Sequence, residues 1–126
     1  MHAEAMHDRA AAAALVVSKA TARAADELEL TNAVLGKILG ISASSASRLR
    51  SGSYLLEEDS KSFEIATLFL RLFRGLDAIV GGDRETARAW LRNANTALGA
   101  PPIALVLTVS GLMQAVQYVD ARRARV

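Results

Sequence analysis

The side chains able to do chemistry in this 126-residue chain are few and widely spaced. Its two histidines, His2 and His7, stand near the start of the sequence with no cysteine anywhere and no acidic partner at metal-ligand spacing, so they read as solvated imidazoles. Glu57, Glu58 and Asp59 form the one carboxylate run, and between polar neighbours such a run reads as a loop tip. No glycine-rich loop follows a strand, because no segment alternates long enough to be one. The sequence therefore offers no catalytic residue, no metal ligands and no cofactor site. What remains is the chemistry of arginine and serine. Arg48 and Arg50 sit mid-chain among Ser42, Ser44, Ser45 and Ser47, and Arg122, Arg123 and Arg125 crowd the last turn.

The serine–arginine group has a geometry suited to nucleic acid. At about 100° per residue, Ala46 and Leu49 share one side of a short helix while Ser44 and Arg48 lie on the other, flanked by Ser45 and Ser47. Small polar residues at a helix N-terminus let the backbone approach bases and phosphates, and an arginine further on reaches a guanine edge or a phosphate. Ser42, Ser44, Ser45, Ser47, Arg48 and Arg50 are accordingly the expected DNA contacts. The competing reading is a helical hairpin with solvated serines and arginines.

Such a surface needs elements to hold it. Apolar residues make up 52% of the chain and aromatics only 5%, with alanine and leucine dominant, a composition that favours helix. The expected fold class is all-α. An alanine-rich helix spans Ala3 to Ala25, and its apolar side needs a partner surface. Thr31 caps a helix carrying Val34, Leu35, Ile38 and Leu39, Gly40 ends it, and Ser42 caps the next, which stops at Gly52. Gly36, where such motifs commonly carry alanine, fits close helix packing. A long apolar helix follows from Lys61 to Val80. Phe69, Leu72, Phe73 and Leu76 cover more of its circumference than one packing face needs, which implies burial from several sides, by a second copy or by another part of the chain. Asp83 caps a helix bearing Trp90, read as a core anchor; Pro102 opens a short helix through Leu107; Ser110 caps a last helix toward Arg123.

Charge and hydropathy exclude some classes. The net charge of +2 is too small to make the chain a nucleic-acid binder by itself. Ala10 to Val17 lacks the basic flank of a secretory signal, and the uncharged stretch Asn93 to Val119 is broken by Pro101-Pro102, Ser110-Gly111, Gln114 and Gln117, so no membrane span is expected. With no cysteine framework, the expected location is the cytoplasm.

Beyond Asp83 the pattern becomes specific. Ala89-Trp90-Leu91, Asn95, Ala97-Leu98-Gly99, Pro102, Leu105, Gly111, Val116 and Tyr118 resemble the toxin-binding domain of Xre/MbcA/ParS antitoxins, and the upstream helical pair resembles the Xre-like helix-turn-helix. Together the resemblance runs from about Leu28 to Val126 and leaves out Ala3 to Ala25. Ala94 departs from it, standing where the family carries proline. Three regions are expected: an N-terminal helix (1–27) outside the resemblance, a helix-turn-helix with the long apolar helix (28–82), and a C-terminal toxin-binding domain (83–126). The resemblance implies a RES-domain toxin that consumes NAD or ADP-ribosylates a target, met by Leu112, Val116, Tyr118, Arg122, Arg123, Arg125 and Val126 inserted in the toxin's active site. It also implies operator DNA as a second partner and a hetero-oligomer with the toxin; the homodimer expected through Phe69, Leu72, Phe73 and Leu76 follows instead from the apolar coverage of the long helix.

Overall fold

Caps set most of the helix boundaries. The computed structural model describes residues 2–125, in which the regular elements are α1 (His2–Glu27), α2 (Asn32–Leu39), α3 (Ala43–Ser51), α4 (Lys61–Ile79), α5 (Arg84–Arg92), α6 (Pro102–Leu105) and α7 (Val109–Ala124). The Thr31 hydroxyl accepts from the Val34 amide at 3.1 Å, and Gly40 closes α2 in the left-handed region with φ 74°. Ser42 does the same for α3, accepting from the Ser45 amide at 3.0 Å. Ser60 caps α4 and Asp83 caps α5. The last helix departs from expectation: Thr108, in extended backbone, accepts from the Gly111 amide at 3.1 Å, so the helix begins at Val109 and Ser110 lies inside it. The short helix opened by Pro102 closes at Leu105.

The core is one apolar cluster running from Ala24 to Val119. It crosses both expected region boundaries, at 27/28 and 82/83, without a break. α4 is its spine, packed by α1 and α2 and along its length by α7. Phe69, Leu72 and Leu76 are each only 2% exposed in the single chain, and Phe73 is half-buried. The several-sided burial expected of α4 is thus supplied from within the chain. The surface these residues were expected to offer a second copy is occupied by the protein's own helices, which removes Phe69, Leu72 and Leu76 from any dimer contact in the folded state. Gly75 lets α7 pack closely on α4: a Cβ there would stand 2.5 Å from Cγ1 of Val119.

Only the C-terminal half of α1 joins this core. Ala14, Ser18, Thr21, Ala24, Ala25 and Leu28 are buried, and the Ser18 hydroxyl accepts the Leu56 amide at 2.8 Å, tying α1 to the loop before α4. From Ala3 to Arg9 the helix side chains are exposed. At its other end α1 turns sharply through Glu29, at φ 55°, into α2. Guanidinium groups from two directions grip this corner. Arg50, on α3, donates to Asp26 at 3.0 Å, to Asn32 at 2.6 Å and to the Leu30 carbonyl. Arg88 and Arg92, on α5, donate to the carbonyls of Glu27, Leu28 and Glu29 at 2.7–2.9 Å. They satisfy carbonyls that the end of a helix leaves without intrahelical partners.

Candidate functional site

α2 and α3 form a helix-turn-helix whose close crossing depends on Gly36, where a Cβ would stand 2.6 Å from the Ile41 carbonyl oxygen. That clash explains glycine in place of the alanine usual in such motifs: the turn runs directly over α2. Ala46 and Leu49 are buried against the body, and Ser44, Ser47 and Arg48 are exposed on the other side, as the helical spacing requires. The hydroxyls are organised into a chain. Ser42 Oγ lies 3.1 Å from Ser44 Oγ and donates to Ser45 Oγ at 3.0 Å, which in turn accepts from Arg48 Nη2 at 3.1 Å. The result is an uncharged polar N-terminus followed one turn later by a single exposed guanidinium, a suitable arrangement for a groove and its phosphates.

Arg50 belongs elsewhere. Its side chain is 20% exposed and committed to Asp26, Asn32 and Leu30, so it fixes α3 to the α1–α2 corner and is withdrawn from the expected DNA surface. The sequence could not show this, because its partners lie 18 to 24 residues away. Lys37, exposed on α2, is a cation of this unit that spacing arguments on α3 passed over.

The C-terminal region divides in the same way. Leu112 and Val116 are 0% and 1% exposed, core residues of α7, and neither can meet a partner. Tyr118 is half-buried and stacks on Trp90, with ring centroids 6.4 Å apart and planes 19° from parallel. Trp90, expected as a core anchor, is half-buried, packs against the core and stacks on Tyr118 as well. Arg122 places its guanidinium 5.9 Å from the centre of the Tyr118 ring and its Nη1 3.4 Å from the Tyr118 hydroxyl. Arg123 and Arg125 are exposed; Val126 lies outside the described residues. Gln114 and Gln117, which sequence reasoning treated only as interruptions of an apolar run, are exposed on α7. Asp120 anchors the approach to this end through an ion pair with Arg71 of α4 at 2.5 Å.

Two further features bear on chemistry. His7 and the loop Glu57, Glu58 and Asp59 line one open cleft with Ala10 and Ala11, yet among the described residues no group of three His, Cys, Asp or Glu is placed to hold a metal ion. Asp83 is held below the ordinary carboxylate range, chiefly by the Thr86 hydroxyl and also by the amides of Thr86 and Glu85. Its role is to cap α5, the helix that carries Trp90, Arg88 and Arg92. No helix of the described residues is long and apolar enough to cross a membrane.

Comparison with known families matches this geometry in two parts. Residues 6–71 match the model of the antitoxin Xre-like helix-turn-helix domain, and residues 75–125 match that of the antitoxin Xre/MbcA/ParS C-terminal toxin-binding domain. The first match takes in most of α1, which the sequence resemblance had left out. No curated protein matches the chain. A helix-turn-helix with an exposed serine–arginine face, and a second helical unit built on the same core, are thus the two working parts of one molecule, and the chain belongs to the Xre/MbcA/ParS antitoxins.

Proposed function

We propose that this antitoxin neutralises a RES-domain toxin, one that consumes NAD or ADP-ribosylates a target, by inserting the end of α7 into the toxin's active site. It also represses its own operon through the exposed face of α3. The observation that carries the first part is the stacked series Trp90, Tyr118 and Arg122, which orders the last turn of α7, at whose end Arg123 and Arg125 are exposed. A rigid cationic tip suits a cleft shaped for a pyrophosphate, because the arginines can pair with acidic groups and the order of the tip reduces the entropy lost on entry. With Leu112 and Val116 inside the core, the toxin-facing set becomes Tyr118, Arg122, Arg123 and Arg125.

Truncation after Asp120 tests this. It removes the arginine tip and leaves every core side chain and the Arg71–Asp120 pair in place. The shortened chain is expected to keep its helical circular dichroism and lose inhibition of NAD consumption by the purified toxin. Full inhibition by the truncated chain would refute insertion. Failure of the intact chain to bind the toxin at all would leave a helix-turn-helix regulator whose toxin belongs to another class.

A further inference from the structure

The hydroxyls at the start of α3 have a fixed polarity, which follows from counting their protons. A serine hydroxyl has one proton to donate and two lone pairs with which to accept. Ser42 Oγ accepts from the Ser45 amide at 3.0 Å and donates its single proton to Ser45 Oγ at 3.0 Å. Its 3.1 Å contact with Ser44 Oγ must then be a donation by Ser44. Ser45 Oγ accepts from Ser42 and also from Nη2 of Arg48, at 3.1 Å, so both its lone pairs are filled. Ser44 therefore turns its proton inward and keeps lone pairs free, whereas Ser45 has only its proton left to offer. Arg48, exposed beside them, carries donors alone. The helix thus presents an acceptor at Ser44 and two neighbouring donors at Ser45 and Arg48.

We propose that this polarity sets which bases α3 reads. Ser45 and Arg48 donate together to the N7 and O6 acceptors of one guanine, and Ser44 accepts from an exocyclic amine, that of adenine or cytosine. In the major groove guanine alone presents two acceptors side by side; adenine sets an amine beside its acceptor, thymine a methyl, and cytosine offers only its amine. Two donors held together by their own hydrogen bond match guanine and are mismatched with the other three. Ser44 cannot donate outward without breaking its bond to Ser42, so it discriminates in the opposite sense. Ser45 is a positioning residue as well as a contact, because its bond to Arg48 orders the guanidinium before DNA arrives and reduces the entropy lost on binding. The inference rests on the reading of α3 as the operator-facing helix, for which the match of residues 6–71 to a helix-turn-helix domain is support independent of these hydrogen bonds.

The experiment enriches duplexes from a randomised pool with the intact chain, then replaces each guanine of the enriched site by 7-deazaguanine, which lacks the N7 acceptor. One such replacement should weaken wild-type binding roughly tenfold, the scale of a base-edge contact. It should matter far less to Ser45→Ala, which lacks one donor of the pair and releases the other. Ser44→Ala should lose the preference for adenine or cytosine at one position of the site. Both variants keep the cap of α3, since Ser42 accepts from the backbone amide of residue 45, and their helical circular dichroism should match wild type. An enriched site indifferent to 7-deazaguanine, or equally sensitive in wild type and Ser45→Ala, overturns the proposal and leaves the operator reading standing. Duplex binding with no enriched sequence also overturns it, in favour of phosphate contacts alone. A chain that binds no duplex removes the operator reading and this inference with it.

Discussion

Arg48 and Arg50 sit two residues apart, in the same sequence context, and the fold gives them opposite duties. Arg48 is exposed beside the serine chain, so Arg48→Ala should cost roughly 1–3 kcal/mol of operator binding if the guanidinium makes a bidentate base contact, and should leave stability untouched. Arg50→Ala should behave in reverse. Losing three hydrogen bonds at a partly buried site lowers stability by about 1–3 kcal/mol, and DNA binding should fall only as far as the corner loosens. Mobility shift and urea denaturation on the two variants separate these outcomes. Asp83 adds a pH signature at the same scale. Its carboxyl is held lower in the folded chain than when unfolded, so the ionised form stabilises the fold. That contribution is fully present above the ordinary carboxylate range and is lost as the pH falls through the folded value. Wild type should therefore outlast Asp83→Ala in thermal melts at pH 7, and the gap should close in acid below about pH 4.

Among the elements, the contact of α4 with α7 is the most sensitive to volume. A methyl at Gly75 meets Val119 Cγ1 at 2.5 Å, and separating two packed helices costs about 1–3 kcal/mol, more than the ~1 kcal/mol that alanine returns in helix propensity. Gly75→Ala should lower the melting temperature, and adding Val119→Ala should recover part of the loss, because the two changes address one clash. The elements themselves were largely legible. Helix ends at Thr31, Gly40, Ser42, Gly52 and Asp83 follow from cap chemistry that is local in sequence, and so does the helix-turn-helix between them. Ser110 misled because Thr108, two residues earlier, offers the same hydroxyl in an extended backbone, and only the fold of the preceding turn decides between them. The apolar helices were legible as buried, but not by what. Phe69, Leu72 and Leu76 were expected against a second copy or another part of the chain, and Leu112 and Val116 against a toxin, when all of them share a single core within the chain.

At the scale of the whole molecule, the toxin-binding end and the DNA-binding end meet at residues 26–32. Arg50 holds that corner from the recognition helix, and Arg88 and Arg92 hold it from α5. None of these contacts could be read from helical spacing, since the partners of Arg50 lie 18 to 24 residues away and those of Arg88 and Arg92 more than 60. The corner has a thermodynamic meaning. If toxin binding pulls on α5, the strain reaches α3 through three guanidinium groups and one turn of backbone, and free-energy coupling of this kind acts equally in both directions. Operator affinity should then depend on toxin occupancy by the same factor by which operator changes toxin affinity. Arg92→Ala should bring that factor toward one while leaving each binding event measurable alone by calorimetry. Unchanged coupling in that variant would mean that the two ends communicate by another route. If the chain represses its own operon as proposed, intact coupling would make that operon's output a function of the ratio of toxin to antitoxin: a feedback sensor assembled from three arginines and seven residues of main chain.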